Sequence, residues 1–115
     1  MNRVVVLGLA VTLVVACSTD PPQPLLSREN LQKARNLIAT SESAGHIVRW
    51  TCTGNEAYVN PVTWAVMDVD AKRGMAIALA GICEAEASGA RMTILDHQSG
   101  KRLATISGRS FQVVE

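Results

Sequence analysis

The hydrophobic positions of this chain form one short apolar run, then a polar break, then a series of patterned segments. The run extends from Val4 to Ala16 without a charged residue and follows the basic residue Arg3. As a helix it would reach about 20 Å, against roughly 30 Å of bilayer hydrocarbon. The run is therefore too short for a permanent membrane span and is typical of a secretory signal.

The polar break that follows predicts a tether. Residues 18–26 read Ser-Thr-Asp-Pro-Pro-Gln-Pro-Leu-Leu, and the prolines favour an extended chain of about 3 Å per residue over helix or sheet. We therefore predict a tether over residues 17–26, which would lift a single domain, residues 27–115, about 20–30 Å off a lipid surface.

Two segments of this domain have clear helix starts. Ser27 can cap an amphipathic segment whose apolar residues share one stripe, and Gly45 ends that segment. Asn60 and Pro61 begin a second helix, because asparagine caps free amides and proline has no N–H to leave unpaired at the first helical position.

A third helix is predicted to begin at Asp68 and to lie buried within the domain. From Gly74 to Cys83 it has no charged or strongly polar residue, and a segment of this length is too short to span a bilayer. Gly74 and Gly81 lower its helix propensity, which indicates close packing against another element at both glycines.

The remaining segments are rich in β-branched and aromatic residues and predict two hairpins and a final strand. Gly100 suits a left-handed position in the turn of the second hairpin. The order helix, two strands, helices, three strands predicts an α+β domain, a small antiparallel sheet of four to five short strands with helices packed on one face. The predicted strands are residues 47–53, 56–59, 91–96, 101–107 and 111–115.

The end of the apolar run resembles a known processing signal. Val14-Val15-Ala16-Cys17 resembles the lipobox of bacterial lipoproteins: an aliphatic residue, a tolerant position, a small residue and the cysteine. The resemblance implies that residues 1–16 are a lipoprotein signal peptide, cut before Cys17, whose thiol and new amine are acylated. Two or three acyl chains, at about 0.8 kcal/mol per buried CH₂, would hold the protein on a membrane. An ordinary signal peptide cut near Ala16 is the alternative.

The residue after the cysteine bears on the destination of such a lipoprotein. In the enteric sorting rule an aspartate there favours retention at the inner membrane, and this chain has Ser18. The resemblance therefore implies a lipid anchor in the outer membrane, facing the periplasm, with the inner membrane as the less favoured destination.

Charge argues against nucleic acid as a partner. Removal of residues 1–16 would leave 99 of the 115 residues, and because Arg3 is one of the 11 basic residues, ten basic and ten acidic side chains would remain. The basic residues are scattered singly or in pairs, whereas phosphate binding needs a cluster on one face.

The cysteines predict a disulfide. With Cys17 acylated, Cys52 and Cys83 remain as an even pair in an oxidising compartment. A domain of this size is marginal unless reinforced, and closing the loop would stabilise it by about 3–4 kcal/mol on the chain-entropy account. Two reduced core cysteines are the alternative, because both lie in apolar sequence surroundings.

A second resemblance covers Tyr58 to Ser107. The segment is similar to a pattern in many small bacterial exported proteins: Asn-Pro before a tryptophan, a Lys-led Leu/Ala helix that ends near a cysteine, and a hairpin with Ser-Gly-Lys. This resemblance supports the fold and implies no activity.

The chemistry-bearing residues predict no catalytic site, no cofactor and no metal. His46, Cys52, Cys83 and His97 lack the close ligand pairing of the usual zinc sites. The Ser99-Gly100-Lys101 stretch lacks the upstream glycine of a phosphate loop, and acidic residues two apart on a helix point to different faces. We therefore expect a protein that is not an enzyme.

Binding is the remaining expectation. Trp50 and Trp64 are candidate binding residues, since tryptophan is enriched at interaction hot spots, although a role as core anchors would account for both. We expect a membrane-anchored periplasmic lipoprotein that meets membrane lipid through Cys17 and contacts an envelope protein in an accessory role. The alternative is a module that binds a small apolar ligand or an envelope glycan between sheet and helix. Such a cavity would be lined by Met75, Leu79 and Ile82.

Overall fold

The computed structural model describes residues 23–114; Cys17 and the sequence-predicted signal peptide lie outside them. The described part of the chain contains three helices and five strands. In chain order they are α1 (Arg28–Ser43), β1 (Ile47–Thr51), β2 (Glu56–Val59), α2 (Pro61–Val66), α3 (Val69–Ala85), β3 (Arg91–Asp96), β4 (Arg102–Ser107) and β5 (Ser110–Val113).

The five strands form one sheet in the order β1-β2-β3-β4-β5. The α+β class is confirmed, and the strand ends differ from the predicted ones by at most two residues. Three pairings are antiparallel as expected, whereas β2 and β3 are parallel. The sheet is therefore mixed, because α2 and α3 connect β2 to β3 and carry the chain back before β3 begins.

The predicted helix caps are confirmed. The side-chain oxygens of Ser27, Asn60 and Asp68 each accept a hydrogen bond from a backbone N–H of the following turn, at 3.1, 2.9 and 2.8 Å. Pro61 occupies the first helical position of α2. Gly45, which follows the end of α1, has a φ of +81°, the left-handed conformation that glycine adopts freely.

The core lies between the sheet and the helices α1 and α3. Along β2, β3 and β4 alternate side chains are buried on the helix side, and α3 is buried from Ala78 to Cys83. The core residues of the described part of the chain run from Leu25 to Ile106 and form one cluster. Its largest fully buried side chains are those of Ile38, Ile47, Leu79, Ile82, Met92 and Ile94.

The domain begins earlier than the sequence predicts. Leu25 and Leu26, which the sequence predicts to be part of the tether, pack on α3. Leu25 is buried and donates its N–H to Oε1 of Glu84 at 2.7 Å. Leu26 lies against Gly81, where a Cβ atom would overlap its side chain. The predicted tether therefore loses its last two residues to the domain.

Cys52 and Cys83 form the predicted disulfide. Cys52 lies in the turn after β1, Cys83 lies in α3, and the two are joined with their Cα atoms 5.2 Å apart. Cys83 is fully buried. The disulfide links the β1–β2 turn to helix α3.

Candidate functional site

A cleft of about 530 Å³ opens where the three helices meet. Its apolar walls come from Leu37 of α1, Val66 of α2, Met67 directly after α2, and Met75 of α3. No charged side chain lines it. Its volume falls within the range of about 300–1,000 Å³ that is usual for small-molecule sites.

Small residues of α3 form one side of this cleft. Ala71 and Gly74 line it, and a Cβ atom built on Gly74 would meet no other atom within 4 Å. The sequence predicts close packing at both glycines of α3; this is correct for Gly81 and wrong for Gly74. At Gly74 the missing side chain leaves space that no other part of the described chain fills.

Three polar side chains complete the lining. They belong to Ser41, His46 and Thr63, and the Thr63 hydroxyl donates to the backbone carbonyl of Asn60 at 3.2 Å. Nδ1 of His46 is enclosed and has no hydrogen-bond partner within the described residues. A buried polar atom left unpaired costs about 1–3 kcal/mol, and its enclosure keeps this nitrogen away from the open space of the cleft.

Three exposed valines, called the rim below, belong to the segments of chain that line the cleft, and one of them, Val66, lines it directly. Val62, Val66 and Val69 are 69%, 82% and 60% exposed. Val62 and Val66 are one helical turn apart and share one side of α2. Singly exposed apolar residues are ordinary on protein surfaces, whereas larger contiguous apolar groups are found at contact sites.

The cleft seen in the described residues does not lie between sheet and helix, where the sequence places a ligand cavity. Leu79 and Ile82 are buried in the core, and Met75 alone of the three predicted residues lines the observed cleft. The physical reason is that α3 packs directly on β3 and β4, so the open space lies at the other end of α3, among the helices.

The two tryptophans occupy different environments. Trp64 is 4% exposed and belongs to the core, with Nζ of Lys72 5.4 Å from the centre of its ring; it is therefore a core anchor and not a surface contact. Trp50 is half-buried on β1 and lines a shallow hollow of about 120 Å³. Beside it the Arg49 guanidinium lies 3.9 Å from the centre of the Tyr58 ring.

The remaining residues that could ligate a metal or act as nucleophiles do not form a site within the described residues. Within residues 23–114 no group of three or more His, Cys, Asp and Glu side chains is placed to hold a metal ion. Cys52 and Cys83 are joined, so neither offers a thiolate. None of the described helices has the length and apolar character that a membrane crossing requires.

Comparison of the chain with protein-family models, with curated proteins and with solved structures finds no match. The geometry of the cleft and the rim is therefore what bears on function.

Proposed function

We propose that this protein is a bacterial lipoprotein, anchored in the outer membrane through acylated Cys17 and facing the periplasm, that contacts an envelope protein in an accessory, non-enzymatic role. The observation that carries the proposal is the exposed valine rim formed by Val62, Val66 and Val69.

A partner that covered the rim would gain binding free energy from burial of the three valine side chains. A valine side chain taken out of water contributes about 1.5 kcal/mol or more, and the rim valines keep well over half of their surface in solvent. The adjacent cleft accepts side chains from a partner, which is the geometry of an interaction hot spot: an apolar anchor seated in a pocket.

The anchor determines which partners the rim can meet. Leu25, the first buried residue among those described, lies eight positions after Cys17, and an extended proline-rich chain over that distance spans about 25 Å. The proposed anchor therefore keeps the domain close to the membrane surface. Confinement there raises the effective concentration of any partner held at the same membrane, so a modest contact is sufficient.

Site-specific photo-cross-linking in intact cells tests this proposal. A photoreactive residue is placed singly at Val62, at Val66 and, as a control, at Arg109, an exposed residue of the β4–β5 turn. The expected result is one recurrent envelope protein captured from Val62 and from Val66 and not from Arg109. Capture from Val62 should fall when Val66→Glu is introduced, because a charge would enter the apolar contact.

Two outcomes would contradict the proposal. Equal capture from Arg109 would show that the rim has no preference for a partner. Recovery of the protein cross-linked to nothing at either valine, with normal expression and membrane association, would remove the rim as a protein contact.

A further inference from the structure

We propose that the outer edge of β5 pairs with the outer edge of β5 in a second copy of this chain, so that the two sheets join into one. This contact is separate from the valine rim, because it uses backbone groups at the edge of the sheet and not the surface of α2. The direction of the β5 backbone groups, the side chains of the strand and the charges at its ends all favour it.

The backbone of β5 has hydrogen-bonding groups that point away from the sheet. β5 is the last strand in the sheet order, and no other described strand pairs with its outer edge. In a regular antiparallel pair, alternate residues bond to the neighbouring strand, and the β4–β5 register has no irregularity. Val114 donates its N–H to the carbonyl oxygen of Leu103 at 2.8 Å, so Gln112 also faces β4. The N–H and C=O groups of Phe111 and Val113 therefore point outward.

The other edge of the sheet is protected against strand addition, whereas β5 is not. Edge strands of natural proteins commonly carry a charge, a proline or a bulge that prevents pairing with another chain. β1 has a register shift between Ile47 and Arg49 and carries the charge of Arg49. Residues 110–114 contain neither a charged residue nor a proline, and β5 pairs regularly with β4. β5 is therefore the edge to which a further strand is most readily added.

The outward-pointing residues fix the register of a pairing between two copies. In an antiparallel pair about a twofold axis, Phe111 of each copy can lie opposite Val113 of the other, with Gln112 opposite its own copy. The outward N–H and C=O groups of both residues then all find partners. A register shifted to either side would set Phe111 or Val113 opposite a residue outside β5. The strand is thus complementary to itself.

The side chains that meet in this register are also complementary. Phe111 pairs with the buried Ile106 of β4, and Val113 pairs with the buried Ala104. Phe111 and Val113 therefore lie on the helix side of the sheet, where each is half-buried. Aromatic and β-branched residues opposite one another stabilise a pair of strands. A second copy would cover the apolar surface that both side chains still expose.

The charges that flank the strand favour an antiparallel second copy. Arg109 precedes the uncharged residues 110–114, and Glu115, outside the described residues, follows them in the sequence. Antiparallel pairing of two copies sets the start of one segment beside the end of the other, so opposite charges come together at both ends. Parallel pairing would bring like charges together, which opposes association.

Pairing over one short strand belongs to the weak class of protein contacts. Two copies held at one membrane by the proposed anchor would have a raised effective concentration, which strengthens such a contact. The pairing is therefore best measured on the full chain in intact cells.

Cysteine cross-linking provides this measurement. Gln112 lies opposite its own copy, in a pair whose Cα atoms would be about 4.5 Å apart, within the range that a disulfide spans. Two differently tagged copies of the Gln112→Cys variant are expressed together, and their thiols are oxidised with copper phenanthroline. The expected result is a disulfide-linked pair that contains both tags and separates on reduction, with no such pair from the chain without the new cysteine.

Two control variants test the register and the choice of edge. Ser110 is exposed on the same strand and the same face as Gln112, but in the proposed register the two Ser110 residues are about 13 Å apart along the strands. Ser110→Cys should therefore lose the linked pair. Arg49→Cys, exposed on the other edge strand, should give none either.

Val113→Pro, added to the Gln112→Cys variant, removes an outward hydrogen bond and leaves the pairing with β4 in place. The Val113 N–H points away from β4, and proline is tolerated at such a position of an edge strand. The linked pair should therefore be lost. Resistance of each variant to proteolysis establishes that it is folded.

Four outcomes would overturn the proposal. They are a linked pair of equal yield from Ser110→Cys or from Arg49→Cys, persistence of the linked pair after Val113→Pro, absence of a linked pair from folded Gln112→Cys, and linkage of that variant only to a different protein.

These results are independent of capture from Val62 and Val66. A linked pair without capture at the rim would support the pairing and remove the envelope contact, and capture without a linked pair would do the reverse. A second copy of the chain captured from Arg109, directly before β5, would support the pairing and is distinct from the envelope protein expected at the rim.

Discussion

The side chain of Leu26 fills the space that a Cβ atom on Gly81 would require. Gly81 lies in the interior of α3, where glycine lowers helix stability by about 1 kcal/mol relative to alanine. The absence of a side chain at Gly81 leaves room for the side chain of Leu26 to pack against α3. Leu25 beside it is buried and donates its N–H to Glu84, so this contact fastens the first described residues to the domain.

Gly81→Ala is expected to destabilise the domain by about 1–2 kcal/mol, because the crowding cost at Leu26 exceeds the gain in helix propensity. In a Leu26→Ala background the same substitution should instead stabilise the domain by about 0.5–1 kcal/mol, since the obstruction is gone. Urea unfolding of the four proteins in this double-mutant cycle checks both signs. A stabilising Gly81→Ala in the otherwise unchanged protein would contradict the close approach.

Gly74→Ala provides the matched comparison on the same helix. No atom obstructs a Cβ at this position, so the substitution should stabilise the domain by about 0.5–1 kcal/mol. The denaturant midpoint should rise while the slope of the unfolding free energy stays unchanged. A loss of stability would mean that the space beside Gly74 is already filled.

The sequence predicts local structure well because the signals are themselves local. Ser27, Asn60 and Asp68 cap their helices through atoms two or three residues away. Gly100 has a φ of +77° in the second hairpin, as the turn requires. Each of these features is decided within one helical turn or one hairpin, which is the range that a sequence pattern describes.

The parallel pairing of β2 with β3 and the cleft are not local and were missed. Nothing in either strand states its direction relative to the other, since that depends on how α2 and α3 lie on the sheet. The sequence contains one indication that the valines of α2 are exposed. Trp64 is buried, so Val62 and Val66, two positions before and after it on the helix, necessarily point away from the core.

The Cys52–Cys83 bridge is expected to supply a large part of the stability of the domain. The cysteines are 31 residues apart in the sequence, and closing such a loop contributes about 3–4 kcal/mol on the chain-entropy account. For a domain of this size that corresponds to a melting temperature about 15–25 °C lower after reduction. Thermal melts with and without dithiothreitol, and thiol titration of the denatured protein, make the measurement.

The matched variants for this prediction are Cys52→Ser, Cys83→Ser and the double substitution. All three should melt near the reduced protein and lose their response to dithiothreitol. Two titratable thiols in untreated, denatured protein that lacks Cys17 would show that the bridge does not form.

Asp96 organises the turn of the second hairpin. Partial burial acts to raise the pKa of its carboxyl group, but the backbone N–H groups of Gln98 and Ser99 donate to it, the Ser99 side chain adds a hydrogen bond, and the nearby His97 favours the charged form. The two backbone bonds to Oδ1 are 2.7 and 3.2 Å long. The pKa of Asp96 therefore lies below its ordinary value of 3.8.

A lowered pKa in the folded state makes ionised Asp96 stabilising. That stability is fully present well above pH 3.8, the ordinary value, and is lost as the pH falls through the lower pKa of the folded state. Asp96→Asn should therefore be less stable than the unchanged protein at pH 7, and the difference should shrink at pH 3 and below. Urea midpoints of both proteins across this range test it; a difference that grows on acidification would contradict the shift.

The proposed anchor makes the most direct prediction about the whole chain. If Cys17 is acylated, its substitution by serine should release the protein from the membrane fraction, because the acyl chains supply the affinity for lipid. It should also abolish incorporation of a clickable palmitate analogue. The double substitution Cys52→Ser/Cys83→Ser is the matched control, since it removes the other two cysteines and leaves Cys17 unchanged, and it should keep the label. Retention of the label in Cys17→Ser would mean that another residue carries the lipid, and absence of label from the unchanged protein would mean that residues 1–16 are an ordinary secretory signal.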